Sequence, residues 1–461
     1  MGSLHFTNLA RATEIGANSY LLEINGKRLV LDSGLHPRLD GPAALPQLDL
    51  AAGDSVDAIV LTHAHQDHVG SLPVTMRRHP RAPVFMTEAT ARLSDVMLHN
   101  SVNVMSRRSE EAGANAVLFS HREVDLGIRR WKPVPLYQRF DLTGERLRPD
   151  EAADISCEFY DAGHILGSAG ALIRANGQKI FYTGDVNFDD QTIMQGASFP
   201  EEPVDVLIVE TTRGDHETPA GFRREDEELR FAKVIREVLQ RGGSAFIPLF
   251  ALGKTQELLA MFHHLQSRDL LPEVPIYIGG LSTKLTEIYD RLSHQTRRQR
   301  QELQLLERHG LYTMAGPEAM AAQIRSGRIY ALSSGMMTEK TLSNALARQI
   351  LSVPQHALLF VGYADPDSPA GRIQAAAPGE EVQLSPEIPP QPLRCTVDQF
   401  SFSGHATREG IRAYINRVKP KTVVLVHGDP PAVEWFQQTL KTDLPQTRVV
   451  KPPAGERVEL G

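Results

Sequence analysis

Four residues of types that commonly bind metals lie within six positions of one another, in the segment HAHQDH: His63, His65, Asp67 and His68. The segment directly follows an apolar run, DAIVLT at 57–62, which predicts a buried strand. A loop that leaves a strand end can direct alternate side chains to one point. Imidazole nitrogens and carboxylate oxygens are ligands for zinc and related divalent ions, so this spacing predicts a metal site rather than an incidental histidine-rich loop.

Composition limits the classes of protein that could use such a site. The 461 residues include 49 Lys and Arg against 56 Asp and Glu, a formal net charge of −7. A folded protein with two domains is expected, and the negative charge argues against nonspecific nucleic-acid binding over the whole surface. Cys157 and Cys395 are the only cysteines. Histidines and carboxylates must therefore hold any metal, and a reducing cytoplasm is the expected location.

Neither secretion nor membrane insertion is expected from the sequence. The start of the chain lacks a basic segment followed by an apolar one, which is the pattern of a secretion signal. No apolar stretch approaches the length of about 18 residues that a spanning helix needs.

Strands and helices alternate along the chain, which predicts an α/β fold. Short strands such as SYLLEI, at 19–24, open the sequence as in the hairpins of a sandwich. Residues 89–134 have apolar positions three to four apart, which predicts helices. From about residue 205 each strand leads into a helix, which predicts a separate parallel sheet.

A Pro-rich segment, SPEIPPQP at 385–392, is the expected end of this second sheet. The elements after it resemble the beginning of the chain more than its middle. We therefore expect one domain that is split by an inserted one. The split domain would comprise residues 1–208 and 392–461, and the inserted domain residues 209–391.

Further candidate ligands each follow a predicted strand: Asp32 in RLVLDSG, His164 in DAGHILGSAG, Asp185 in FYTGDVN and His427 in VVLVHGD. Taken singly, each has an ordinary explanation, since Asp32 could cap a turn beside Gly34 and His164 could be a structural histidine. Together with HAHQDH, in this order and at strand ends, they resemble the motifs of the metallo-β-lactamase superfamily.

The resemblance implies a fold, a cofactor and a set of roles. The fold would be an αββα sandwich with an inserted α/β domain built on a parallel sheet. The cofactor would be two Zn²⁺ ions per chain, or Mn²⁺ in their place, which share a hydroxide as the attacking group. Asp32 would orient the metal-binding loop. The ligands would be His63, His65 and His164 for one ion, Asp67, His68 and His427 for the other, and Asp185 as the bridge.

Two further residues resemble the motifs of the β-CASP branch of this superfamily: Glu210 in LIVETTRGDHE and His405 in FSFSGHATREG. The resemblance implies that His405 protonates a leaving oxygen or binds the scissile phosphate, and that Glu210 orients it and raises its pKa. The ordinary alternative is that both are polar residues beside helix starts. The chain departs from the branch at Arg213, where Tyr is common, and at Thr407, where Asp is common. The implied catalytic residues are Asp67, Asp185, Glu210 and His405.

Three segments of the inserted domain also resemble motifs of this branch: PLFALGKTQELL at 248–259, LSSGMM at 332–337 and GYADPDSPAGR at 362–372. They imply contacts from backbone N–H groups and cationic side chains to RNA phosphates. A nucleotide-binding loop is disfavoured for the GKT at 253–255, because Pro248 stands where that motif requires Gly. The implied phosphate-binding residues are Lys254, Ser334, Gly335 and Arg372.

The resemblance covers residues 15–450 and is closest to bacterial and archaeal relatives of the cleavage-and-polyadenylation endonuclease. It implies a di-zinc ribonuclease that cuts single-stranded RNA internally, with His405 as general acid, and it leaves open a second mode that trims a 5′ end. A homodimer is expected from the resemblance alone. The alternatives are a small-molecule metallo-hydrolase acting on a thioester, lactone or β-lactam, a DNA nuclease, and an inactive RNA-binding relative. The small-molecule enzyme would have no need of the inserted domain, and the inactive relative would lack metal ligands.

Overall fold

The computed structural model, which describes residues 4–53, 55–112 and 116–460, consists of two units. Unit 1 contains three segments of the chain and unit 2 contains two, so that the second unit interrupts the first. The segments of unit 1 are Met1–Asp190, Gly196–Thr218 and His405–Gly461, and those of unit 2 are Gln191–Gln195 and Pro219–Gly404.

The boundaries between the two units differ from the expected ones, which lay between residues 208 and 209 and between residues 391 and 392. Strand pairing explains the difference. Val206–Glu210 lies between two other strands of a unit 1 sheet, so the chain remains in unit 1 as far as Thr218. Thr396–Gln399 pairs with Ala357–Phe360 in unit 2, and the chain returns to unit 1 only at His405. The Pro-rich segment at 385–392 therefore lies within unit 2 rather than at its end.

Two seven-stranded sheets, counted over the described residues, form the centre of unit 1. Sheet A and sheet B face one another across a shared apolar core, to which sheet A contributes Phe6 and Leu22 and sheet B contributes Phe159 and Ile208. The strands of sheet A, in spatial order, are Arg457–Glu459, Leu4–Asn8, Tyr20–Ile24, Lys27–Leu31, Ala58–Val60, Val84–Met86 and Trp131–Pro133. Those of sheet B are Arg448–Val450, Thr422–Val426, Val206–Glu210, Gln178–Tyr182, Ala169–Ala175, Ile155–Asp161 and Phe140–Asp141.

The first hairpin of sheet A shows how local sequence sets its register. Asn25 and Gly26 join two antiparallel strands, and both have positive φ, 53° and 72°. A two-residue hairpin turn of this kind requires positive φ at both positions, which Asn and Gly tolerate best.

Helices cover the outer face of each sheet, so unit 1 is the predicted αββα sandwich. Val30 of sheet A packs in a cluster with Val74 and Leu98 from helices, and Leu207 of sheet B packs in another with Ile411. The helices of unit 1 are Gly41–Ala44, Leu48–Ala51, Gln66–Val69, Leu72–Arg78, Glu88–Ala112, His121–Ile128, Arg408–Val418 and Pro430–Asp443.

One part of the stretch predicted to be helical, 89–134, is not helix. Trp131–Pro133 is the last strand of sheet A and pairs in parallel with Val84–Met86. Trp131 packs into the apolar cluster beneath the helices, which favours the strand at this edge.

A six-stranded sheet forms the centre of unit 2, and the pairings between its neighbouring strands are parallel, as predicted. Its strands, in spatial order, are Leu311–Met314, Ile276–Gly279, Ile329–Leu332, Ala245–Pro248, Ala357–Phe360 and Thr396–Gln399. A separate small sheet pairs Glu381–Val382 with Gln391–Pro392. The helices are Arg224–Gln240, Lys254–Ser267, Gly280–Arg291, Ser293–Gln295, Gly316–Met320, Leu342–Ile350 and Pro369–Ala375.

Within the part of the chain that the structure describes, no helix combines the length and the apolar composition that crossing a bilayer requires.

Candidate metal centre

Loops that follow strands of both sheets bring the predicted ligands of unit 1 together. His63 lies in the loop that joins Ala58–Val60 of sheet A to the short helix Gln66–Val69. The loops of sheet B supply His164 after Ile155–Asp161, Asp185 after Gln178–Tyr182 and His427 after Thr422–Val426. The position of each ligand just beyond a strand therefore gives the cluster a rigid base.

One group of four residues contains His63, His65, His164 and Asp185, with one ligand atom from each lying within 4.8 Å of the others. The Nδ1 of His65 is 3.1 Å from the Nε2 of His63 and 3.1 Å from the Nε2 of His164. The Oδ2 of Asp185 is 3.5 Å from the Nε2 of His63. Burial lowers the pKa of His63 well below its usual value, so this ring is neutral and retains a lone pair for a metal.

A second group contains Asp67, His68 and His427. The Nε2 of His427 is 3.2 Å from Asp67 Oδ2 and 3.4 Å from His68 Nε2. The other oxygen of Asp185, Oδ1, is 3.3 Å from His68 Nε2 and 3.1 Å from His427 Nδ1. Asp185 thus presents one carboxylate oxygen to each group.

The environment of Asp185 fits a bound cation. Its Oδ1 is buried and accepts no hydrogen bond from any of the described residues. Burial opposes ionisation of this carboxyl group, but the nearby His427 and His68 hold its pKa well below the usual range. A buried, ionised oxygen without a hydrogen bond is unfavourable unless a cation compensates for it. The surrounding imidazole and carboxylate donors are those that zinc and similar divalent ions take in proteins.

The fully buried carboxylate of Asp32 orients the second group. Its Oδ2 accepts hydrogen bonds from His68 Nδ1 at 2.8 Å, from the Thr62 hydroxyl at 2.8 Å and from the Tyr182 hydroxyl at 2.6 Å, and its Oδ1 accepts from Thr62 N at 2.8 Å. Because the hydrogen bond to Asp32 holds a proton of His68 at Nδ1, its Nε2, which faces Asp67 and His427, is the nitrogen that could bind a metal.

Thr62 links Asp32 to His63 of the first group, so that Asp32 also orients this ring. Its hydroxyl has one hydrogen, which is donated to Asp32, so the oxygen accepts the hydrogen bond from His63 Nδ1 at 3.0 Å. The Nε2 of His63 is then the nitrogen with a lone pair, and it faces His65 and Asp185. One carboxylate therefore fixes the tautomer of one histidine in each group.

Two residues of the site adopt left-handed backbone conformations. Asp32 has φ of 56° and His427 has φ of 48°. Such conformations cost about 1–3 kcal/mol for residues other than Gly and persist where the surroundings hold them in place. The four hydrogen bonds to the Asp32 side chain and the hydrogen bond from Thr211 N to the His427 carbonyl provide that restraint.

Glu210 and His405 form a pair beside the first group. The Nδ1 of His405 is 3.1 Å and 3.2 Å from the two carboxylate oxygens of Glu210, and it is 4.0 Å from Asp185 Oδ2. The His405 ring also packs against the His164 ring, with 4.5 Å between ring centroids. Burial disfavours protonation of His405, but the charge and hydrogen bond of Glu210 outweigh it and raise the pKa of His405. The pair can therefore hold a proton next to the ligand cluster.

Four residues that contact the cluster were not predicted: Asn18, Thr62, Tyr182 and Thr212. The side-chain nitrogen of Asn18 is 3.3 Å from Asp67 Oδ2 and 3.3 Å from His68 Nε2. The Thr212 hydroxyl is 2.9 Å from His427 Nδ1. The position of Thr62 directly before His63 was an available signal, as were those of Tyr182 in FYTGDVN and Thr212 in LIVETTRGDHE, whereas no quoted motif contains Asn18.

The predicted phosphate-binding residues all lie in unit 2, and the structure shows only two of them around one cavity. Lys254 and Gly335 line it together with residues that include Phe250 and Tyr363, and the ammonium group of Lys254 donates to the Phe402 carbonyl. Ser334 Oγ is instead 3.2 Å from Thr338 Oγ1. The guanidinium group of Arg372 donates to the carbonyls of Gln383 and Asp367, at 3.0 Å and 2.7 Å.

The structure explains one of the two departures from the β-CASP pattern, Thr407, and does not explain the other, Arg213. Thr407 is the N-cap of Arg408–Val418, and its hydroxyl accepts from Gly410 N at 3.0 Å. Thr is a favourable residue for that position. Arg213 is partly buried, which lowers its pKa, while the charge of Glu210 acts in the opposite direction. Nothing in the structure explains why Arg rather than Tyr occupies this position.

Comparison with known families accounts for most of the chain. Residues 12–236 match the metallo-β-lactamase superfamily, and residues 255–373 match the Beta-Casp domain. Residues 390–452 match the Zn-dependent metallo-hydrolase RNA specificity domain. The chain belongs to the β-CASP branch of the metallo-β-lactamase superfamily. Both the predicted family and the predicted α/β fold are thereby confirmed.

Curated relatives of this β-CASP protein include the "Cleavage and polyadenylation specificity factor 73" of Drosophila melanogaster, 30% identical over 95% of this chain and 62% of the relative. The "Endoribonuclease ysh1" of Schizosaccharomyces pombe is 28% identical over 92% of this chain and 54% of the relative. The "Probable RNase MJ4" of Methanocaldococcus jannaschii is 28% identical over 91% of each chain. The chain thus spans less than two thirds of the first two relatives.

A solved structure supports the fold of the β-CASP protein independently of close sequence similarity. A protein of unknown function from Enterococcus faecalis aligns with a TM-score of 0.57 at 14% identity, over 99% of this chain and 100% of the other.

Proposed function

We propose that the chain is a metal-dependent endoribonuclease that hydrolyses phosphodiester bonds of single-stranded RNA. The observation that carries the proposal is the Glu210–His405 pair, which lies beside the first ligand group with His405 Nδ1 4.0 Å from Asp185 Oδ2. Cleavage of a phosphodiester releases an alkoxide, which needs a proton, and a histidine outside the ligand groups can deliver one.

The cofactor in this proposal is two Zn²⁺ ions per chain, with Mn²⁺ as an alternative. His63, His65 and His164 would hold one ion, Asp67, His68 and His427 the other, and Asp185 would contact both. When bound, the ions supply Lewis-acid chemistry, polarising the scissile phosphate and activating water for attack. Asp32 keeps the ring nitrogens of His63 and His68 directed at the ions.

The Glu210–His405 pair acts on the leaving group. Glu210 is 1% exposed and also accepts hydrogen bonds from Val186 N at 2.7 Å and Thr212 N at 3.3 Å, so its carboxylate is fixed. It holds the Nδ1 proton of His405, and the proton available for transfer is then the one at Nε2. Neutral His405 can be protonated again by solvent, since its side chain is 21% exposed.

Two further observations support RNA as the substrate. Residues 390–452 match a domain described by its RNA specificity, and two relatives carry the names endoribonuclease and RNase. The ligand cluster is largely buried, since His63 and His68 are fully buried and Asp67 is 21% exposed, and a flexible single strand enters such a site more easily than a duplex.

One experiment separates this function from the alternatives. The purified protein is incubated with 5′-labelled single-stranded RNA, the matching DNA and a chromogenic β-lactam. We expect internal RNA cleavage, with release of 5′ nucleotides as the sign of an additional exonuclease mode. Cleavage should be abolished by Asp185→Asn and strongly slowed by His405→Ala. Lactam turnover without RNA cleavage would overturn the proposal in favour of a small-molecule hydrolase, and cleavage of DNA alone would make it a DNA nuclease.

A cytoplasmic location and a homodimer complete the proposal. Cys157 and Cys395 are free and buried, and the absence of a disulfide between them suits a reducing compartment. Cell fractionation tests the location. Sedimentation of the purified protein tests the dimer, and a monomer at micromolar concentration would contradict it.

A further inference from the structure

Unit 2 carries a group of arginine and histidine side chains that has no role in the function proposed above. We define the basic patch by its residues His263, His264, Arg268, Arg300 and Arg308. The first three lie in and directly after the last turn of Lys254–Ser267. The other two follow Gly280–Arg291, in a region that begins with the sequence RLSHQTRRQR at 291–300, which has four Arg, one His and no acidic residue.

Hydrogen bonding around His264 is incomplete in a way that indicates an anion. Its Nε2 is 3.3 Å from Arg268 Nη1, and its Nδ1 is 3.4 Å from Arg300 Nη2. Burial and the charges of Arg300 and Arg268 lower the pKa of His264, so the ring is neutral. A neutral imidazole accepts at one nitrogen and donates at the other. At one of the two contacts, therefore, an N–H group of His264 faces an N–H group of an arginine. An anion that accepts hydrogen bonds from both groups would remove this unfavourable contact.

Arg308 gives a second, independent indication. Its Nε and Nη1 are buried and have no hydrogen-bond partner among the residues that the structure describes, while its Nη2 donates to the Gln266 side chain. Burial lowers the pKa of Arg308 to about 10, which leaves it charged at neutral pH. The Nδ1 of His263, whose pKa is lowered by burial, Arg300 and Arg308, is likewise buried without a partner. Unsatisfied donors on a charged group are costly unless a ligand supplies acceptors.

Stabilisation of a helix end explains the presence of only some of the residues in the basic patch. Cations stabilise the C-terminal end of a helix, which explains Arg268 directly after Lys254–Ser267. Arg300 and Arg308 come from a different segment. Acidic groups that act on the patch include Glu225, 3.4 Å from Arg268 Nη2, and Glu273, whose charge raises the pKa of Arg308 against burial. Among the described residues, Arg268 has one carboxylate partner, Glu225, and Arg300 forms no ion pair, so the positive charge of these two arginines is only partly neutralised.

We propose that the basic patch binds phosphate groups of RNA. The proposal rests on the proposed function, which makes RNA the polyanion that this protein handles. Guanidinium groups pair with phosphate oxygens in a bidentate manner, and the neutral histidines add N–H donors to the same anion. Contacts to phosphates position a nucleic acid but carry no sequence information, so the patch would strengthen binding without selecting a sequence.

The test compares two double variants of the full chain in the Asp185→Asn background, where RNA is not expected to be cut during the measurement. The patch variant is Arg268→Gln with Arg300→Gln, both at exposed positions. The control variant is Lys233→Gln with Lys284→Gln, which removes the same charge from exposed positions of unit 2 outside the patch. Fluorescence anisotropy gives the Kd for a labelled single-stranded RNA between about 50 and 200 mM salt.

We expect the patch variant to bind about tenfold more weakly than its Asp185→Asn parent and the control variant to bind within about twofold. The slope of log K against log salt should fall in magnitude by about 1.4 in the patch variant, because each phosphate contact to a single strand contributes about 0.7. Equal unfolding midpoints for both variants would exclude misfolding as the cause. Arg308, which is partly buried, is left intact for this reason.

Other outcomes have definite meanings. Equal Kd and equal slope for the patch and control variants would overturn the proposal while leaving RNA cleavage by the unmutated chain in place. If the patch variant loses binding to labelled polyglutamate but retains RNA binding, the proposal is also overturned. The ligand of the patch would then be an acidic protein segment. If RNA binding depends on the patch but the unmutated chain does not cut RNA, the patch is supported and the proposed nuclease function fails.

Discussion

Asp32 Oδ2 accepts a 2.8 Å hydrogen bond from His68 Nδ1, and the same oxygen accepts from the Thr62 hydroxyl. Thr62 in turn accepts from His63 Nδ1 at 3.0 Å. The orientation of one histidine in each ligand group thus depends on a single carboxylate that binds neither ion in the proposed site. Partners of this kind contribute strongly to metal affinity.

Substitution of this carboxylate should weaken metal binding. In Asp32→Asn, the amide NH2 group cannot accept the hydrogen bonds that Oδ2 accepts from His68, Thr62 and Tyr182. We expect metal affinity to fall about 10–100-fold, as measured by competition with a chelator. Tyr182→Phe is the matched control, because it removes one hydrogen bond to Asp32 and keeps the charge, and its effect should be smaller. Unchanged affinity in Asp32→Asn would show that packing alone orients the histidines.

The Glu210–His405 pair should affect the rate of RNA cleavage and leave metal content unchanged. We expect His405→Ala to slow single-turnover cleavage by about 10²–10⁴-fold, the usual contribution of a general acid, and Glu210→Gln to slow it less. A substrate with sulfur in place of the leaving oxygen needs no proton, so it should restore much of the rate to His405→Ala. A loss of zinc from His405→Ala would contradict this role and make His405 a ligand.

Gly34 permits the close approach of two loops that hold the second ligand group. A Cβ atom at this position would lie 1.7 Å from the Asp67 carbonyl oxygen and 2.7 Å from Asn18 N. Gly34→Ala should therefore displace the loop that carries Asp67, lower the free energy of unfolding by about 1–3 kcal/mol or more, and reduce metal content. Gly279→Ala, whose Cβ would meet only Ser333 Oγ at 3.5 Å, is the control in urea unfolding. Equal effects of the two substitutions would contradict the steric argument.

Thr407 should contribute to stability through its cap. Thr407→Ala removes the acceptor for Gly410 N and should lower the free energy of unfolding by about 1 kcal/mol. Thr407→Asp restores the residue common in the β-CASP branch, retains an acceptor and should preserve stability. Urea unfolding measures both variants. A cleavage rate that rises in Thr407→Asp at unchanged stability would show that a carboxylate at this position tunes His405.

Metal removal should destabilise unit 1, because an ion that binds only the folded state stabilises it. We expect a chelator to lower the unfolding temperature and Zn²⁺ or Mn²⁺ to restore it. Metal analysis should give about two ions per chain, and His65→Ala should reduce this to about one, because His65 belongs to one ligand group only. Full retention of both ions in His65→Ala would contradict the assignment of the groups.

The sequence predicted the part of the structure that depends on local patterns. HAHQDH and the residues after later strands were sufficient to nominate the ligand cluster, and strand–helix alternation was sufficient for the parallel sheet of unit 2. The strand Trp131–Pro133 was missed because three residues are too few to show a periodicity, and helical spacing precedes them. The end of the inserted domain was placed too early because a Pro-rich segment resembles a boundary even where it forms a small sheet.

The residues that support the cluster could not be predicted in the same way. Asn18 is separated from Asp67 by 49 positions, Tyr182 from Asp32 by 150 and Thr212 from His427 by 215. No local spacing connects such partners, since they meet only through the packing of two sheets. Polar side chains of these types are also common throughout the sequence, so none of them stands out before the fold is known.

The distribution of ligands along the chain also sets an order of events during protein synthesis. His427 follows the strand Thr422–Val426, which pairs with Val206–Glu210 after the whole of the Pro219–Gly404 segment has intervened. A ribosome that has translated HAHQDH must add some 360 residues before Asp67 and His427 can meet. Nascent chains therefore carry an incomplete second ligand group while these residues are being added, close to the messenger RNA that encodes them.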